Sequence, residues 1–257
     1  MPIVDIHSHI LPAIDDGSQT LAMSLEMLAQ AVSSGTTAIV ATPHETSIDR
    51  ASVHAGVSAL QHAAHEHGLP IQILTGSEVR FDADLAARFR DGSLATINDT
   101  QYVLIELSLR AAWSPYVQQA MYDLQLVGAT PILAHAERYP AVQKSPDVLL
   151  PLINQGVLIQ VNSTSISRVG GRASAQAANA LLRRRMAHVL ASDAHDTVHR
   201  PPIVRPALQY VTDQHGATYS DWIADVAVRI IAGDSVNSIE PIDDDKAGII
   251  SRLFRRR

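Results

Sequence analysis

Two histidines and two aspartates lie close together near the start of the chain. His7 and His9 follow an apolar run at residues 3–6 whose length and β-branched content are typical of one buried strand. Side chains two residues apart in a strand point the same way, so both imidazoles can bind one divalent metal ion. Asp15 and Asp16 follow in a turn and offer hard oxygen ligands. A strand with two incidental histidines and a polar turn is the alternative interpretation.

The rest of the chain alternates short apolar runs with amphipathic segments. The runs predict seven strands, at residues 3–6, 36–42, 71–74, 102–105, 131–134, 157–161 and 188–191. Helical periodicity predicts helices at about residues 18–35, 49–67, 85–89, 116–127, 145–154, 173–185, 205–212 and 221–231. This alternation is typical of a parallel α/β barrel, and the continuous apolar strands fit burial on both faces. A doubly wound open sheet is the competing architecture, although the chain has neither a Rossmann glycine motif nor a P-loop.

Two helices carry specific expectations about their ends. Ser18 is expected to cap the first helix, Leu21 and Leu28 to lie on its buried face, and Gly35 to end it. Pro151 is expected to kink the helix at residues 145–154, because proline lacks an amide hydrogen.

Further histidines and carboxylates stand at, or just after, the carboxyl ends of the predicted strands, where α/β barrels build active sites. The candidate metal ligands are His7, His9, Asp16, His44, Glu78, Glu106, His135, Asp193 and His195. Histidine and carboxylate without thiolate suit Mn, Fe, Zn or Mg. Nine ligands are too many for one ion, so a bridging carboxylate can join two or three ions about 3.5–4 Å apart. No function is predicted for the other histidines, which are His54, His62, His65, His67, His188, His199 and His215.

Length and composition limit the classes of function. The 257 residues can form one domain, since α/β barrels commonly have roughly 200–250 residues. The net charge of −6 argues against a nucleic-acid partner, and the absence of cysteine excludes disulfides and a cysteine nucleophile. No transmembrane run or signal-peptide pattern is found, so the expected location is the cytoplasm. The tail from about residue 240 is expected to be loosely held.

Seven sequence segments together resemble the motifs of a known family. The segments DIHSHILPAIDDG, ATPHE, GSEVR, LIEL, LAHAERY, NSTSI and ASDAH resemble the PHP-domain superfamily. Their order and spacing, from residue 3 to about residue 235, resemble the bacterial protein-tyrosine phosphatases of capsule and exopolysaccharide operons. The resemblance implies a distorted (β/α)7 barrel of the TIM type, with residues 1–257 forming a single domain.

The resemblance also implies a site with three metal ions, with Mn²⁺ expected first and Fe, Zn, Mg or Co as alternatives. The ligands of the first ion would be His7, His9, Glu78 and Asp193. The ligands of the second would be Glu78, Glu106 and His135, with Glu78 bridging, and those of the third Asp16, His44 and His195. Arg138 and Arg200 match phosphate-binding arginines. Glu45 departs from the family's frequent T-P-H-H, and a carboxylate at the substrate rim would disfavour an acidic peptide.

The implied activity is hydrolysis of phosphotyrosine on a protein, with a bacterial tyrosine kinase that controls polysaccharide export as the expected partner. Water activated by the metal ions would attack phosphorus, and the arginine would neutralise charge on the phosphoryl oxygens. Three alternatives remain at this point. They are a phosphatase for a small phosphomonoester such as histidinol phosphate, a non-catalytic partner of the kinase, and a proofreading nuclease, which the acidic charge disfavours.

Overall fold

Parallel strands alternate with helices along the part of the chain that the structure, a computed structural model, describes: residues 1–110, 112–166, 170–237 and 239–242. The strands within these ranges are β1 (Ile3–Ser8), β2 (Thr36–Ala41), β3 (Gln72–Thr75), β4 (Glu78–Arg80), β5 (Tyr102–Glu106), β6 (Thr130–Leu133), β7 (Leu158–Asn162) and β8 (Val189–Ala191). The helices are α1 (Leu21–Ser33), α2 (Arg50–Glu66), α3 (Leu85–Arg90), α4 (Tyr116–Leu126), α5 (Pro140–Lys144), α6 (Leu150–Asn154), α7 (Ser163–Ile166), α8 (Arg172–Arg183), α9 (Arg205–His215) and α10 (Ala217–Ala232).

The strands form two parallel sheets. One has the order β1-β2-β3 and the other the order β4-β5-β6-β7-β8. Two isolated parallel bridges join them, one between Ser8 and Ala194 and the other between His44 and Glu78. Because the strands share one direction, their carboxyl ends gather on one side of the molecule. The prediction of a parallel α/β fold is therefore confirmed.

The count of seven strands is wrong, because β4 was not predicted. All seven predicted strands are present with ends that differ by one or two residues. The additional strand is only three residues long and contains Glu78 and Arg80 around Val79. Such a segment has no apolar run, so periodicity cannot detect it. Glu78 consequently begins a strand, although it also lies shortly after the end of β3.

The first helix differs from its prediction at the amino end. Thr20, not Ser18, is the N-cap, and its hydroxyl accepts a hydrogen bond from the backbone N–H of Met23 at 3.2 Å. Leu21 is 47% exposed, and the buried apolar side chains of α1 are Met27, Leu28 and Ala31. The predictions for Ser18 and Leu21 are therefore wrong: Ser18 lies before the helix, and Leu21 is its exposed first residue.

The segment around Pro151 is interrupted, as expected. A short 3-10 helix at Pro146–Leu149 precedes α6, and Pro151 lies in the first turn of α6, where its missing amide hydrogen costs no helical hydrogen bond. Beyond residue 242 the predicted tail lies outside the described residues. Ile242 itself donates a backbone hydrogen bond to the carbonyl of Arg184 at 2.8 Å.

None of the described helices has both the length and the apolar content needed to cross a membrane.

His188, beside β8, is buried within the fold and is expected to make stability depend on pH. Burial lowers the pKa of His188 from 6.5 to about 4, and its Nδ1 accepts a hydrogen bond from the Ile159 N–H at 3.2 Å, which requires the neutral ring. Between these two pKa values the unfolded chain binds more protons than the folded chain, so stability falls as the pH decreases through this window. We expect His188 to account for about 2 kcal/mol of lost stability between pH 7 and pH 5.

Urea unfolding at several pH values tests this expectation against the variant His188→Asn, which cannot titrate but can still accept the hydrogen bond. Both proteins carry the same acidic and histidine groups elsewhere, so the difference between their curves isolates His188. Parallel curves for the two proteins would contradict the assignment.

Candidate metal centre

Seven of the nine predicted ligands meet at the carboxyl ends of the strands. Their ligand atoms fall into three overlapping groups, and within each group the atoms lie within 4.8 Å of one another. The groups are His7, His9 and Glu78; His9, Asp16, His44 and His195; and His44, Glu78 and Glu106. Because His9, His44 and Glu78 each belong to two groups, the three clusters form one continuous centre.

The other two predicted ligands, His135 and Asp193, contact the same centre. The Nε2 atom of His135 lies 2.8 Å from Glu78 Oε1 and 3.6 Å from Glu106 Oε1. The Oδ1 atom of Asp193 lies 3.4 Å from the Nε2 atom of His7. The structure thus brings all nine predicted ligands together.

Glu78 is the central side chain of this arrangement. Its Oε1 atom faces His7 at 3.5 Å and His135 at 2.8 Å, and its Oε2 atom faces His9 at 3.4 Å and His44 at 3.0 Å. The two oxygens of one carboxylate therefore point to two different pairs of imidazoles. A carboxylate divided in this way has the geometry to bridge two cations.

The centre is buried and strongly polarised. Burial alone lowers the pKa of His7, but the charges of Glu78 and Asp193 outweigh it and raise the pKa to about 9. Burial likewise lowers the pKa of His9, while hydrogen bonds to Asp15 and Glu78 raise it to about 9. In the absence of a cation, these carboxylates therefore favour protonated imidazoles at His7 and His9. A cation must displace these protons, so its binding is expected to weaken as the pH falls.

The orientation of two imidazoles is fixed from outside the centre. The Nδ1–H of His7 donates to Gln160 Oε1 at 3.2 Å, and the Nδ1–H of His9 donates to Asp15 Oδ2 at 2.7 Å. The Nε2 atoms of both rings then face inward, 3.3 Å apart. Acceptors that hold Nδ1 in this way leave the Nε2 lone pair for a metal ion. The donor set therefore fits divalent cations.

Asp15 is not among the nine candidate ligands, but it has a supporting role that the sequence did not reveal. Its side chain is 2% exposed and also accepts a hydrogen bond from the His44 N–H at 3.0 Å. Burial raises the pKa of Asp15, but the hydrogen bond and charge of His9 outweigh it and lower the pKa to about 2. Asp15 therefore acts as a charged partner that holds His9.

Replacing Asp15 with asparagine is expected to weaken metal binding roughly 10–100-fold, because the amide offers the His9 Nδ1–H a poorer and uncharged partner. Competitive metal titration in a calorimeter measures the change. Asp91→Asn is the matched control, since Asp91 also accepts a hydrogen bond from the backbone two residues later but is exposed. Equal affinities in Asp15→Asn and the control would refute this role.

A chain of amide side chains on β7 links two sides of the centre. Gln160 Oε1 also accepts the His135 N–H at 2.6 Å, and Gln160 Nε2 donates to Asn162 Oδ1 at 2.8 Å. Asn162 Nδ2 in turn donates to Asp193 Oδ2 at 2.7 Å. One feature of the sequence indicates this series of hydrogen bonds, namely two amide residues at alternate positions in an otherwise apolar strand.

His135 and Asp193 adopt the left-handed backbone conformation, with φ of 32° and 53°. This region is uncommon for residues other than glycine, and such outliers cost about 1–3 kcal/mol each. Both residues follow the last residue of a strand by two positions, where the chain must turn sharply to direct a ligand into the centre.

The two predicted phosphate-binding arginines converge on one oxygen of the centre. Arg138 lies 3.3 Å from Asp193 Oδ2, and Arg200 forms an ion pair with the same oxygen. Burial raises the pKa of Asp193, but the charges of His7, His135 and Arg200 hold it far below its usual range. The side chains of Arg138 and Arg200 are 34% and 30% exposed, so both can also reach a ligand from solvent.

The rim of the site is less acidic than the presence of Glu45 in the sequence predicted. Glu45 forms an ion pair with Arg88, and its side chain is 14% exposed. A groove of about 340 Å³ leads from Glu78 and Glu106 to solvent, and its lining also contains Arg80 and Arg110. Because the Glu45 carboxylate is already paired with Arg88 and two further arginines line the groove, Glu45 is not expected to disfavour an acidic peptide.

Histidines without a predicted function lie outside the centre. His62, His65 and His67 are exposed on or next to α2, and His199 has an 85% exposed side chain. The five histidines among the nine candidate ligands therefore differ from these four histidines, because they lie at the centre rather than at the surface.

The fold and the His/carboxylate centre define this chain as a parallel α/β protein with a candidate metal centre. An amidohydrolase from Mycoplasma synoviae shares the fold alone, with 12% identity and a TM-score of 0.53 over 98% of this chain and 94% of that chain. The chain belongs to the CpsB/CapC family of capsular polysaccharide synthesis proteins, whose model matches residues 3–231. The resemblance to the protein-tyrosine phosphatases of capsule operons is confirmed.

Two relatives cover almost the whole chain. The tyrosine-protein phosphatase YwqE of Bacillus subtilis is 30% identical over 238 residues, which are 91% of this chain and 93% of the relative. A solved structure from work on YwqE of Bacillus subtilis and CpsB of Streptococcus pneumoniae, described as metal-dependent tyrosine phosphatases, has a TM-score of 0.90 and 30% identity. It covers 93% of this chain and 98% of that chain.

Proposed function

We propose that this protein is a metal-dependent protein-tyrosine phosphatase. The observation that carries the proposal is Glu78, whose two carboxylate oxygens divide four imidazoles into two pairs beside two partly exposed arginines. Relatives of near-complete coverage that are named tyrosine-protein phosphatases support the same activity. The substrate would be a phosphotyrosine protein, and a bacterial tyrosine kinase of capsule or exopolysaccharide synthesis is the proposed partner.

The proposed metal content is three divalent ions, with Mn²⁺ first. His7, His9, Glu78 and Asp193 would hold one ion, Glu78, Glu106 and His135 a second, and Asp16, His44 and His195 a third. Mixed nitrogen and oxygen ligands favour first-row transition metals over Mg²⁺. The exposed side of the centre, where Asp16 is 66% exposed, would be the face that meets substrate.

The chain's own residues would bind and orient the phosphoryl group. Bound divalent ions would supply an activated water and neutralise phosphoryl charge. Arg138 and Arg200 would turn from Asp193 toward the phosphoryl oxygens, where charged forked donors bind oxyanions well. As the water oxygen forms a bond to phosphorus, the bond between phosphorus and the phenolic oxygen would break, which gives inorganic phosphate and the tyrosine phenolate. The departing phenolate, with a pKa of about 10, needs less protonation than an alkoxide.

The remaining proposals concern architecture and location. The bridges Ser8–Ala194 and His44–Glu78 support a distorted (β/α) barrel of the PHP type, in which the two sheets close on each other. We also propose that the chain is one domain and acts in the cytoplasm, where ATP-dependent kinases make phosphotyrosine.

Phosphate release from a phosphotyrosine peptide and from histidinol phosphate tests the proposal. The protein would be analysed for metal, loaded with Mn²⁺ and compared with a chelated sample and with His135→Ala. We expect chelator-sensitive turnover that favours the peptide. Preference for histidinol phosphate would keep the metal chemistry and reject the tyrosine-phosphatase assignment, and no turnover on either substrate would favour a binding protein.

A further inference from the structure

A second, mainly apolar cavity of about 170 Å³ lies beside the groove of the metal centre. We call it the side pocket and define it by Phe81, Trp113, Val117 and Tyr139, which lie in its wall. Trp113 meets Tyr139 edge-on, with ring centroids 6.3 Å apart. No residue of the pocket belongs to the nine candidate metal ligands or the two arginines, so the proposed chemistry does not explain it.

The side pocket adjoins the groove that leads to the metal centre. Arg80, Leu107 and Ser108 line both cavities. A peptide that placed its phosphotyrosine at the centre through this groove would pass the residues that the groove shares with the side pocket.

The wall of the pocket is attached to the strand end that carries Glu106. The Phe81 N–H donates to the Glu106 carbonyl at 2.9 Å, and the Leu107 N–H donates to the Tyr139 hydroxyl at 2.9 Å. Tyr139 itself is 2% exposed and packs against His135, with ring centroids 5.7 Å apart. These bonds fix the pocket relative to the centre, so an occupant of the pocket would also be fixed relative to the reacting phosphate.

The size and lining of the side pocket fit an aromatic ring. Apolar cavities of about 150 Å³ in proteins hold benzene. Aromatic walls favour a further ring through edge-to-face contacts, and burial of such a ring is favourable in itself. A lysine or arginine side chain would lose its water there and would face the like charge of Arg80, which also lines the pocket.

We propose that the side pocket binds an aromatic side chain of the substrate peptide that flanks the phosphotyrosine. This selectivity rests on the proposed phosphatase function and adds a substrate requirement to it. The phosphate and the flanking ring would be recognised by two neighbouring cavities.

The test uses phosphotyrosine peptides that differ only by phenylalanine or alanine at one flanking position, scanned over three residues on each side. We expect phenylalanine at one position to raise kcat/KM roughly tenfold over alanine in the Mn²⁺-loaded enzyme. Phenyl phosphate, which has no flanking residue, serves as the substrate that reports the chemistry alone. Equal kcat/KM for all the peptides would overturn the proposal.

Two variants test the pocket itself. Trp113→Ala removes one wall, and Ala112→Trp fills the pocket from an exposed position that should not affect folding. Both are expected to abolish the preference for phenylalanine and to leave phenyl phosphate turnover unchanged. Tyr122→Ala, which removes an exposed aromatic side chain from α4 outside the pocket, is the matched control and should keep the preference. An equal loss on phenyl phosphate and on peptides in both pocket variants would contradict a flanking-residue site.

A binding measurement separates failure of this inference from failure of the proposed function. In the Trp222→Phe variant, Trp113 is the one remaining tryptophan, so its fluorescence reports occupancy of the pocket. If no phosphate ester is hydrolysed, the phosphatase proposal fails. Tighter binding of the phenylalanine peptide with a change in Trp113 emission would then still support the pocket, and equal binding of both peptides would overturn it.

Discussion

Replacing Glu78 with glutamine is expected to remove more than one metal ion from each chain and to lower kcat/KM roughly a thousandfold or more. The carboxylate faces four imidazoles with two oxygens, whereas an amide offers one oxygen and a donor that repels cations. Elemental analysis and phosphotyrosine peptide turnover measure the two effects. In the chelated protein, NMR titration should also find the pKa of His7 and His9 moving down from about 9 toward the ordinary value.

Glu66→Gln provides the control for this substitution. Glu66 lies 3.4 Å from His62, so it too is a glutamate beside a histidine, but its side chain is 61% exposed. It should retain full metal content and activity. A Glu78→Gln protein with unchanged metal stoichiometry would rule out the bridging role.

Removing Arg138 is expected to lower kcat/KM about 100–1,000-fold while leaving the metal content unchanged. Arg138 contacts Asp193 through the oxygen that does not face His7, so its loss should spare the ligand atom. Arg138→Met tests the full loss. Arg138→Lys should recover part of the activity, since a lysine keeps the charge but not the forked pair of donors.

Arg172→Met is the matched control, because Arg172 is an exposed arginine at the start of α8. Steady-state kinetics on a phosphotyrosine peptide, with metal analysis of the same samples, gives the comparison. If Arg138→Met lost metal in proportion to activity, Arg138 would be a support for Asp193 rather than a phosphate-binding residue.

The sequence predicted the strands well where burial on both faces leaves an unbroken apolar run. Ile39 and Val40 in β2, and Leu104 and Ile105 in β5, are fully buried and were all within predicted strands. The prediction failed at β4, where the two outer residues are charged. The amino end of α2 was predicted correctly at Asp49, whose carboxylate accepts the Ser52 N–H at 2.7 Å, whereas the similar local cap of α1 at Thr20 was wrongly assigned to Ser18.

The candidate ligands could be predicted because residue type and position at a strand end are both local properties. Supporting contacts such as those of Gln160 and Arg88 could not be predicted, because they join distant parts of the chain. Gln160 holds His7 across 153 residues, and Glu45 pairs with Arg88 across 43 residues. The three-dimensional fold determines which amide contacts which imidazole, and it also brings Arg88 to Glu45.

The two isolated bridges between the sheets have a consequence for the cohesion of the whole fold. His7 and His9 belong to the sheet of β1, whereas Asp193 and His195 follow β8 of the other sheet, and the His44–Glu78 bridge spans the second junction. A cation shared among these side chains would cross-link the two sheets at both junctions, where ladder hydrogen bonding is sparse. Metal removal should therefore speed amide hydrogen exchange along these junctions first. The bound ions would then stabilise the fold as well as take part in catalysis.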